Sequence, residues 1–367
     1  MAELKTASSL HVLLIDFEFF AYSAQLAMAL SDLCRVTLLL PDKTPHELVE
    51  RVREAVDVCQ FHMPRLRYPT NVGMLYNVIQ TISRTKPQVI HQLAWNLWMN
   101  MALPILPDIP MVATIHDAQR HPGDRQSVML LQGWQCRRAK QLIVHAEVIK
   151  RQLVHRYHLV EDKVNVIRLG AYDLYRTWGS DKGSEQGNTI LFFGRIWEYK
   201  GLRYLIEAEP LITAQIPDAR IVIAGYGEPF EKYERLMVNK DRFVVHNYHI
   251  PERMVSSLFQ EASVVVLPYT EASQSAVLAT AYAFGKPVVV TAVGGIPEVV
   301  EEGETGFLVP PRDAPSLAQA VVRLLQDPSL RDEMGAKALE RARSDLSWAS
   351  IARRTVDVYR KAIAGSV

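Results

Sequence analysis

The sequence predicts an α/β protein of two Rossmann-like domains that face each other across a cleft. Three observations predict it: a length of 367 residues, short apolar runs that alternate with amphipathic segments of helix length, and a polar stretch that divides the chain. Such alternation is typical of parallel sheets covered by helices on both faces. The length exceeds one ordinary domain and fits two of about 150 to 200 residues.

The first half of the chain shows a strand–helix rhythm that begins at His11. The apolar runs expected to form strands are HVLLIDF, RVTLLLP, VCQFH, QVIHQLA, MVATIH, QLIVH and VNVIRL. The helix-length segments between them include 19–33, 45–56, 71–85 and 125–138. We therefore predict an amino-terminal domain over residues 1–172, with a mainly parallel sheet.

A polar, glycine-rich stretch at 180–188 has no apolar periodicity and predicts a linker. A second sheet is expected from the runs TILFF, RIVIA, RFVVH, SVVVLP and PVVV, with a short strand GFLVP near its end. These runs predict a carboxy-terminal domain over 186–347. A helix follows in the final segment, 348–367.

Composition narrows the class of protein. A hydrophobic content of 49% and a formal net charge of +1 are typical of a globular protein without the basic field that nucleic acid requires. Cys34, Cys59 and Cys136 lie far apart and form no C-x-x-C pair, so we expect neither a disulfide framework nor a zinc site.

The expected location is cytoplasmic. The first ten residues lack a leader pattern, and no run reaches the roughly 18 apolar residues that span a bilayer. The segment 132–140 places clustered cations beside Trp134. Two interpretations of it stay open, a peripheral contact at the inner membrane face and a solvated helix end.

The most informative motif is FFGRIWEYKG at 192–201, where an apolar strand ends in a turn with two cations. Gly194 permits a tight turn and the close approach of a ligand, Arg195 can hold phosphate oxygens as a fork, and Lys200 can act as a point charge. A helix that begins near Gly201 adds its positive end. The motif predicts a diphosphate site; the alternative is a strand end with two solvated cations.

A second strong signal is YTEASQSAVL at 269–278, which follows the run SVVVLP. Ser273 is the expected N-cap of a helix, which leaves the amides of Ser275, Ala276 and Val277 available to an anion. Parallel strands of one sheet end at the same edge. We therefore expect a pyrophosphate between this helix start and the two cations of the first motif.

Residues after other strands are further candidates, because open α/β sheets bind ligands outside the carboxyl ends of their strands. His116 follows MVATI and could bond a sugar hydroxyl or a phosphate oxygen; the alternative is a loop histidine satisfied by backbone. Gly225 permits close approach after RIVIA, and the loop around Tyr248 could read a nucleobase edge. No third ligand accompanies His116 and Asp117 at helical spacing, so no metal site is expected.

Taken together, several segments resemble the glycosyltransferase family 4 group of retaining GT-B enzymes. They are FFGRIWEYKG, the strand-end His-Asp pair, LPYTEASQSAVLATAYAFGKPVVVT, VGGIPEVVEEGETGFLVPPRD and the tryptophan-led final helix. The resemblance covers essentially the whole chain and is strongest from 192 to 313. It implies the GT-B fold, in which the first domain binds the acceptor, the second binds the nucleotide sugar, and the last helix returns to the first domain.

The resemblance implies catalytic roles for three residues. Arg195 and Lys200 match the residues that hold the donor's diphosphate, and His116 matches the histidine near the transferred sugar. The implied donor-binding set is Gly194, Arg195, Lys200, Gly225, Tyr248, Glu271, Ser273, Gln274, Ser275, Ala276, Val277 and Thr280. The implied reaction is a metal-independent, cofactor-free, retaining transfer from a UDP or GDP sugar to a glycan, lipid-linked or small-molecule acceptor, as in polysaccharide biosynthesis.

The chain departs from the family pattern at two places. The family carries two glutamates separated by seven residues, and alignment on Gly-Lys-Pro at 285–287 places Ala272 and Thr280 at those positions, with Glu271 one residue out of register. After the first strand, the segment 18–23 replaces a common glycine pair. Ribose recognition and the contacts of the first loop therefore cannot be carried over from the family.

Two other interpretations stay open. The missing glutamates suggest a non-catalytic GT-B partner of an active glycosyltransferase, and a nucleotide-sugar epimerase shares the GT-B outline. A nicotinamide dehydrogenase is disfavoured, because no G-x-G-x-x-G follows the first strand.

Overall fold

The structure, a computed structural model, describes residues 10–65, 68–118, 127–178 and 187–365, and of residues 103, 127–131 and 177–178 only the backbone. The chain forms two compact units. The first comprises Met1–Arg168 and Trp348–Val367, and the second comprises Leu169–Ser347. Most of the predicted linker, 180–186, lies outside the described residues.

The first unit contains a seven-stranded parallel sheet in the order β3-β2-β1-β4-β5-β6-β7. Its strands are β1 His11–Ile15, β2 Arg35–Pro41, β3 Asp57–Phe61, β4 Val89–Gln92, β5 Met111–Thr114, β6 Gln141–Val144 and β7 Val164–Val166. Its helices before the second unit are α1 Phe20–Ser31, α2 His46–Arg53, α3 Asn71–Thr85, α4 Leu97–Ala102, α5 Ser127–Arg138 and α6 Glu147–Tyr157. The order reverses between β1 and β4, where ligands bind in such sheets.

Burial on both faces explains why the strands appear in the sequence as continuous apolar runs. Val12, Leu13, Leu14 and Ile15 of β1 are all fully buried. Helices cover both faces of a parallel sheet, so its central strands need no polar face.

The second unit contains a six-stranded parallel sheet in the order β10-β9-β8-β11-β12-β13. Its strands are β8 Thr189–Phe193, β9 Arg220–Gly225, β10 Phe243–Asn247, β11 Val264–Leu267, β12 Val288–Thr291 and β13 Gly306–Val309. Its helices are α7 Leu174–Trp178, α8 Leu202–Thr213, α9 Glu231–Glu234, α10 Glu252–Glu261, α11 Ala276–Ala283, α12 Ala314–Gln326 and α13 Pro328–Arg343.

The side chains of β8 divide between two cores. Ile190 and Phe192 pack into a cluster with residues of α8 and α12, while Leu191 packs into a second cluster with residues of α10 and α11. Successive side chains of a strand point to opposite faces, and here both faces are apolar. The carboxyl end of β8 is thereby fixed from both sides.

The last helix, α14 Trp348–Ala364, belongs to the first unit. It packs against α1, β4, β5 and β6, and the Tyr359 hydroxyl lies 2.8 Å from Nδ1 of His91. The ring of Trp348 meets that of Tyr22 edge-on, with the centroids 5.4 Å apart. The predicted return of the final helix to the first domain is confirmed. No helix in the described parts of the chain is long and apolar enough to cross a bilayer.

Candidate functional site

The turn after β8 depends on two glycines. Gly194 has φ +114°, a conformation that side chains rarely adopt, and its N–H donates to the Ala224 carbonyl at 2.9 Å. A Cβ at Gly225 would lie 1.7 Å from the Gly194 carbonyl oxygen. Only glycine fits there, so the loops after β8 and β9 can pack directly against each other.

A short 3₁₀ turn, Glu198–Lys200, follows Arg195 and ends at Lys200, so it separates the two cations of the first motif. Arg195 is exposed, and its Nη2 donates to the Tyr199 hydroxyl at 3.3 Å. Nζ of Lys200 lies 3.7 Å from the centre of the Tyr269 ring, a cation–π contact. The N–H of Thr270 donates to the Tyr199 carbonyl at 2.8 Å, which joins this turn to the loop after β11.

The N-cap of α11 is Ser275, so the prediction of Ser273 is wrong. Ser275 has extended backbone angles, and its Oγ accepts the N–H of Leu278 at 3.2 Å. Helical hydrogen bonds run four residues back, so the amides of Ala276 and Val277 at the helix start have no partner within the helix. They are two of the three amides predicted to be available to an anion; the third is that of the N-cap residue Ser275 itself, and it stays a prediction.

A contact distant in sequence explains the position of the cap. The N–H of Gly295 donates to the Ser273 carbonyl at 3.1 Å, which holds Ser273 in the loop. Glu271 in the same loop is exposed. Oε1 of Gln274 is buried and has no hydrogen-bond partner among the described residues. Leaving such a group unsatisfied costs about 1–3 kcal/mol, so Gln274 is a candidate to accept a ligand's hydroxyl hydrogen.

The two motifs meet at the carboxyl edge of β8 and β11, which are neighbours in the sheet. A Cβ at Gly194 would lie 3.4 Å from Cγ2 of Val277, so the glycine turn contacts the first turn of α11. The Tyr269 hydroxyl lies 3.5 Å from Oγ of Ser275. Tyr269 therefore contacts both Lys200 and the N-cap, and two cations and a helix N-terminus form one electropositive site.

His116 follows β5 in the first unit and is 8% exposed. Its Nε2 lies 2.9 Å from the Leu93 carbonyl oxygen, and its Nδ1 lies 3.2 Å from Nε2 of His145. The Phe19 ring lies 4.1 Å from the His116 ring, centroid to centroid. Burial lowers the pKa of His116. Both nitrogens are engaged within the protein, so a role toward the sugar stays a prediction.

Asp16 after β1 is a polar residue that the sequence analysis missed. It is fully buried, and its Oδ1 accepts the N–H groups of Phe17, Glu18 and Phe19 at 2.7, 3.1 and 3.1 Å. Burial raises the pKa of this carboxyl, whereas the three N–H groups favour its ionised form. The carboxylate stabilises the loop in which the family's glycine pair is absent.

Two family models match the chain in succession. Glycosyltransferase Family 4 matches residues 21–171, and Glycosyl transferases group 1 matches residues 187–327. The chain belongs to glycosyltransferase family 4. The expected enzyme class is confirmed. The first matched region corresponds to the unit that carries His116, and the second corresponds to the unit that carries the electropositive site.

Relatives of this family 4 glycosyltransferase include two named enzymes. Glycogen synthase from Mycobacterium tuberculosis is 28% identical over 307 residues, 80% of this chain and 73% of that protein. D-inositol 3-phosphate glycosyltransferase from Corynebacterium diphtheriae is 29% identical over 296 residues, 73% of this chain and 67% of that protein.

A solved structure supports the fold. Anabaena HepE in complex with UDP and glucose superimposes with a TM-score of 0.73 at 18% identity, covering 95% of this chain and 98% of that one. The family 4 glycosyltransferase therefore has the predicted GT-B fold, with one seven-stranded and one six-stranded parallel sheet.

Thr280, at the second glutamate position of the family, faces the protein interior. It is 4% exposed, and its hydroxyl donates to the Ala276 carbonyl at 2.9 Å. Its predicted contact with the donor remains a prediction.

Two exposed tyrosines lie at the ends of β9 and β10. The predicted Tyr248 is 44% exposed, and its hydroxyl lies 3.3 Å from Nδ1 of His246. Tyr226 is 49% exposed and its ring lies 5.4 Å from that of His249. The sequence analysis missed Tyr226, although its position between Gly225 and Gly227 was a usable signal. Both rings could stack on a base.

The cations near Trp134 have partners within the first unit. Arg138 lies 3.7 Å from Asp108 as an ion pair, and Nζ of Lys140 donates to the Gly365 carbonyl at 3.4 Å. Trp134 is 40% exposed. These contacts favour the helix-end interpretation over the membrane contact. In the described ranges, no three His, Cys, Asp or Glu side chains converge as metal ligands.

Proposed function

We propose that this chain transfers a hexosyl group from a nucleotide diphosphate sugar to an acceptor hydroxyl, with retention of configuration and without a divalent metal ion. The observation that supports it most is the contact between the Gly194 turn and the first turn of α11. This contact brings Arg195, Lys200 and the amides of Ala276 and Val277 to one edge of the sheet.

The leaving nucleoside diphosphate gains negative charge as the glycosidic bond breaks. Fixed donors aimed at such charge are each worth about 2.7–4 kcal/mol. Arg195 offers a planar fork for two phosphate oxygens, and Lys200 offers a compact charge. Two cations and two amides therefore offer several such contributions, although the contributions do not simply add.

Retention fits a displacement on one face of the sugar. The acceptor oxygen forms the new bond to the anomeric carbon while the bond from that carbon to the phosphate oxygen breaks. The acceptor's proton passes to the leaving phosphate oxygen. In this scheme the phosphate is the base, so the protein needs no carboxylate at Ala272, the first glutamate position of the family.

For the donor we propose a uridine or guanosine diphosphate hexose. The HepE structure named above contains UDP, and the exposed rings of Tyr226 and Tyr248 could stack on either base. The acceptor is a glycan, a lipid-linked sugar or a small polyol. We place the reaction in the cytoplasm, supported by three free cysteines, Cys34, Cys59 and Cys136.

A second candidate is a non-catalytic partner of another glycosyltransferase. The buried Thr280, whose hydroxyl bonds within its own helix, favours it because the family's ribose contact is missing. Turnover of a donor by the isolated chain separates the two functions. Conversion of a donor to its epimer without acceptor would instead indicate an epimerase.

The test begins with melting temperatures in the presence of UDP, GDP and their hexose derivatives, because a ligand of the native state raises stability. The stabilising sugar nucleotide is then incubated with acceptors, with and without EDTA, and the product anomer is identified by NMR. We expect an unchanged rate in EDTA and a retained anomer. An inverted product or loss of activity in EDTA would contradict the mechanism.

A further inference from the structure

Two imidazoles in the first unit join two backbone carbonyls through three contacts. Nε2 of His116 lies 2.9 Å from the Leu93 oxygen, and Nδ1 of His145 lies 2.8 Å from the Ile167 oxygen. Between the rings, Nδ1 of His116 lies 3.2 Å from Nε2 of His145. Both histidines are buried.

The number of N–H hydrogens that these contacts need can be counted. A carbonyl oxygen only accepts, so the ring nitrogen that faces each carbonyl carries a hydrogen. The contact between the rings needs a third hydrogen, since two lone pairs would otherwise face each other. Two neutral imidazoles hold only two N–H hydrogens. With all three contacts made, the pair therefore carries one extra proton and one positive charge.

His91 shows the contrasting case. Its Nδ1 lies 2.8 Å from the Tyr359 hydroxyl and its Nε2 lies 2.8 Å from the Thr114 hydroxyl. Hydroxyl groups both donate and accept, so a neutral His91 satisfies both contacts. The carbonyl partners at each end are what set the His116–His145 pair apart.

Acidic groups on two elements act on the pair. Asp117 beside His116 and Asp16 after β1 both raise the pKa of His116, against the larger lowering by burial. Burial and the charge of His116 lower the pKa of His145 to about 3. The net shift of both pKa values is downward, so the three contacts, and not the charges, are what support one extra proton.

Among the residues that the structure describes, the other groups in contact with the pair carry no negative charge at neutral pH. Tyr22 of α1 packs edge-on against both rings, and burial raises the pKa of its phenol. Burial, and after it the two histidines, lower the pKa of His91 of β4. Trp348 of α14 packs edge-on against the ring of Tyr22.

We propose that His145 is a positioning residue for His116 and that the two rings share one extra proton. The proposal rests on the proposed function, because His116 matches the family histidine near the transferred sugar. With three N–H hydrogens, the pair holds the His116 ring by hydrogen bonds at both of its nitrogens. Loss of one hydrogen breaks one contact and frees the ring to turn, so the turnover rate falls as the pH rises through the pKa of the pair.

Histidine-selective ¹⁵N NMR of the full chain tests the shared proton without any donor. We expect both nitrogens of His116 to be protonated or proton-sharing, with a hydrogen-bond coupling from its Nδ1 to Nε2 of His145. An unprotonated Nδ1 on His116 without that coupling, at neutral pH, would overturn the proposal. This measurement stays decisive even if no donor is turned over and the proposed function fails.

Two substitutions of similar size test positioning. In His145→Gln the amide N–H can donate to a neutral His116, so we expect retained turnover without the fall at higher pH. In His145→Leu nothing can bond Nδ1, so we expect kcat to fall at every pH with little change in the donor KM. Melting temperatures identify variants that fail to fold. If both folded variants keep the wild-type pH profile of kcat, His145 does not position His116.

Discussion

The ammonium of Lys200 lies 3.7 Å from the centre of the Tyr269 ring, and the hydroxyl of that tyrosine lies 3.5 Å from the N-cap Ser275. Tyr269 is fully buried. One aromatic side chain thus fixes a cation of the first motif relative to the helix start of the second. The geometry of the donor site therefore depends on a residue that itself offers little contact to a ligand.

Replacement of Tyr269 should separate its ring from its hydroxyl. Tyr269→Leu removes the ring beneath Lys200 and should weaken binding of a nucleoside diphosphate by about 0.5–2 kcal/mol, the usual range for cation–π contacts. Tyr269→Phe keeps the ring and should bind almost as the wild type does. Titration calorimetry measures both affinities, and equal losses in the two variants would count against the cation–π role.

Arg195→Ala should lower kcat by about 100- to 1000-fold, because it removes a charged donor to the leaving phosphate. Arg203→Ala is a matched control. Arg203 forms an exposed ion pair with Glu207 at 2.6 Å on α8 and is not among the residues assigned to the phosphates. Its loss should leave kcat near the wild-type value. Both variants should melt near the wild-type temperature, and near-normal transfer by Arg195→Ala would refute the assignment.

The corrected N-cap predicts unequal effects of two nearby serines. Ser275→Ala removes the Oγ that accepts the Leu278 N–H and should cost about 1 kcal/mol of stability. The expected fall in Tm is about 2–4 °C for a domain of this size. Ser273→Ala should change Tm very little. Calorimetry measures both Tm values, and a larger fall in Tm for Ser273→Ala than for Ser275→Ala would support Ser273 as the N-cap.

Gly225→Ala should prevent normal packing of the loops after β8 and β9. Its Cβ would lie 1.7 Å from the Gly194 carbonyl oxygen, so backbone must move. Gly303→Ala is the control, because Gly303 has φ +75° and no heavy atom within 4 Å of the added carbon. Gly303→Ala should lose about 1–2 kcal/mol of stability, because alanine is strained in the left-handed conformation. Urea unfolding that gives equal losses would disprove the steric account.

His91 predicts a pH dependence of stability. Burial and the two neighbouring histidines lower its pKa from 6.5 to about 3. Below pH 6.5 the unfolded chain takes up a proton that the folded chain refuses, so the free energy of unfolding falls as the pH falls toward 3. In His91→Gln the slope of the unfolding free energy against pH should be smaller by up to about 1.4 kcal/mol per pH unit. Urea unfolding at several pH values measures it; identical slopes would rule out a buried neutral His91.

The sequence predicted most of the fold because its strands are buried on both faces and appear as uninterrupted apolar runs. It also predicted that the loop of Arg195 and Lys200 lies at the same edge of the sheet as the start of α11, since parallel strands of one sheet end at one edge. Contacts between residues that lie far apart in the sequence could not be predicted from it. Ser273 and Ser275 are equally good caps locally, and the Gly295 contact with Ser273 is distant in sequence.

The contacts of His116 and Asp16 in the first unit were less predictable for the same reason. His145 stands 29 residues after His116, at the end of a different strand, and no local pattern links them. Asp16 ends an apolar run and appeared to belong to the strand. Its role depends on three amides of a loop whose conformation the sequence does not specify.

The central claim is that Arg195, Lys200 and the α11 amides bind the paired phosphates of a sugar nucleotide. Titration calorimetry of UDP and GDP into the wild type and into the double variant Arg195→Ala/Lys200→Ala tests it most directly. We predict that one of the two nucleotides binds the wild type and that this binding is lost in a normally folded double variant. Equal affinity of the two proteins for that nucleotide would contradict the claim.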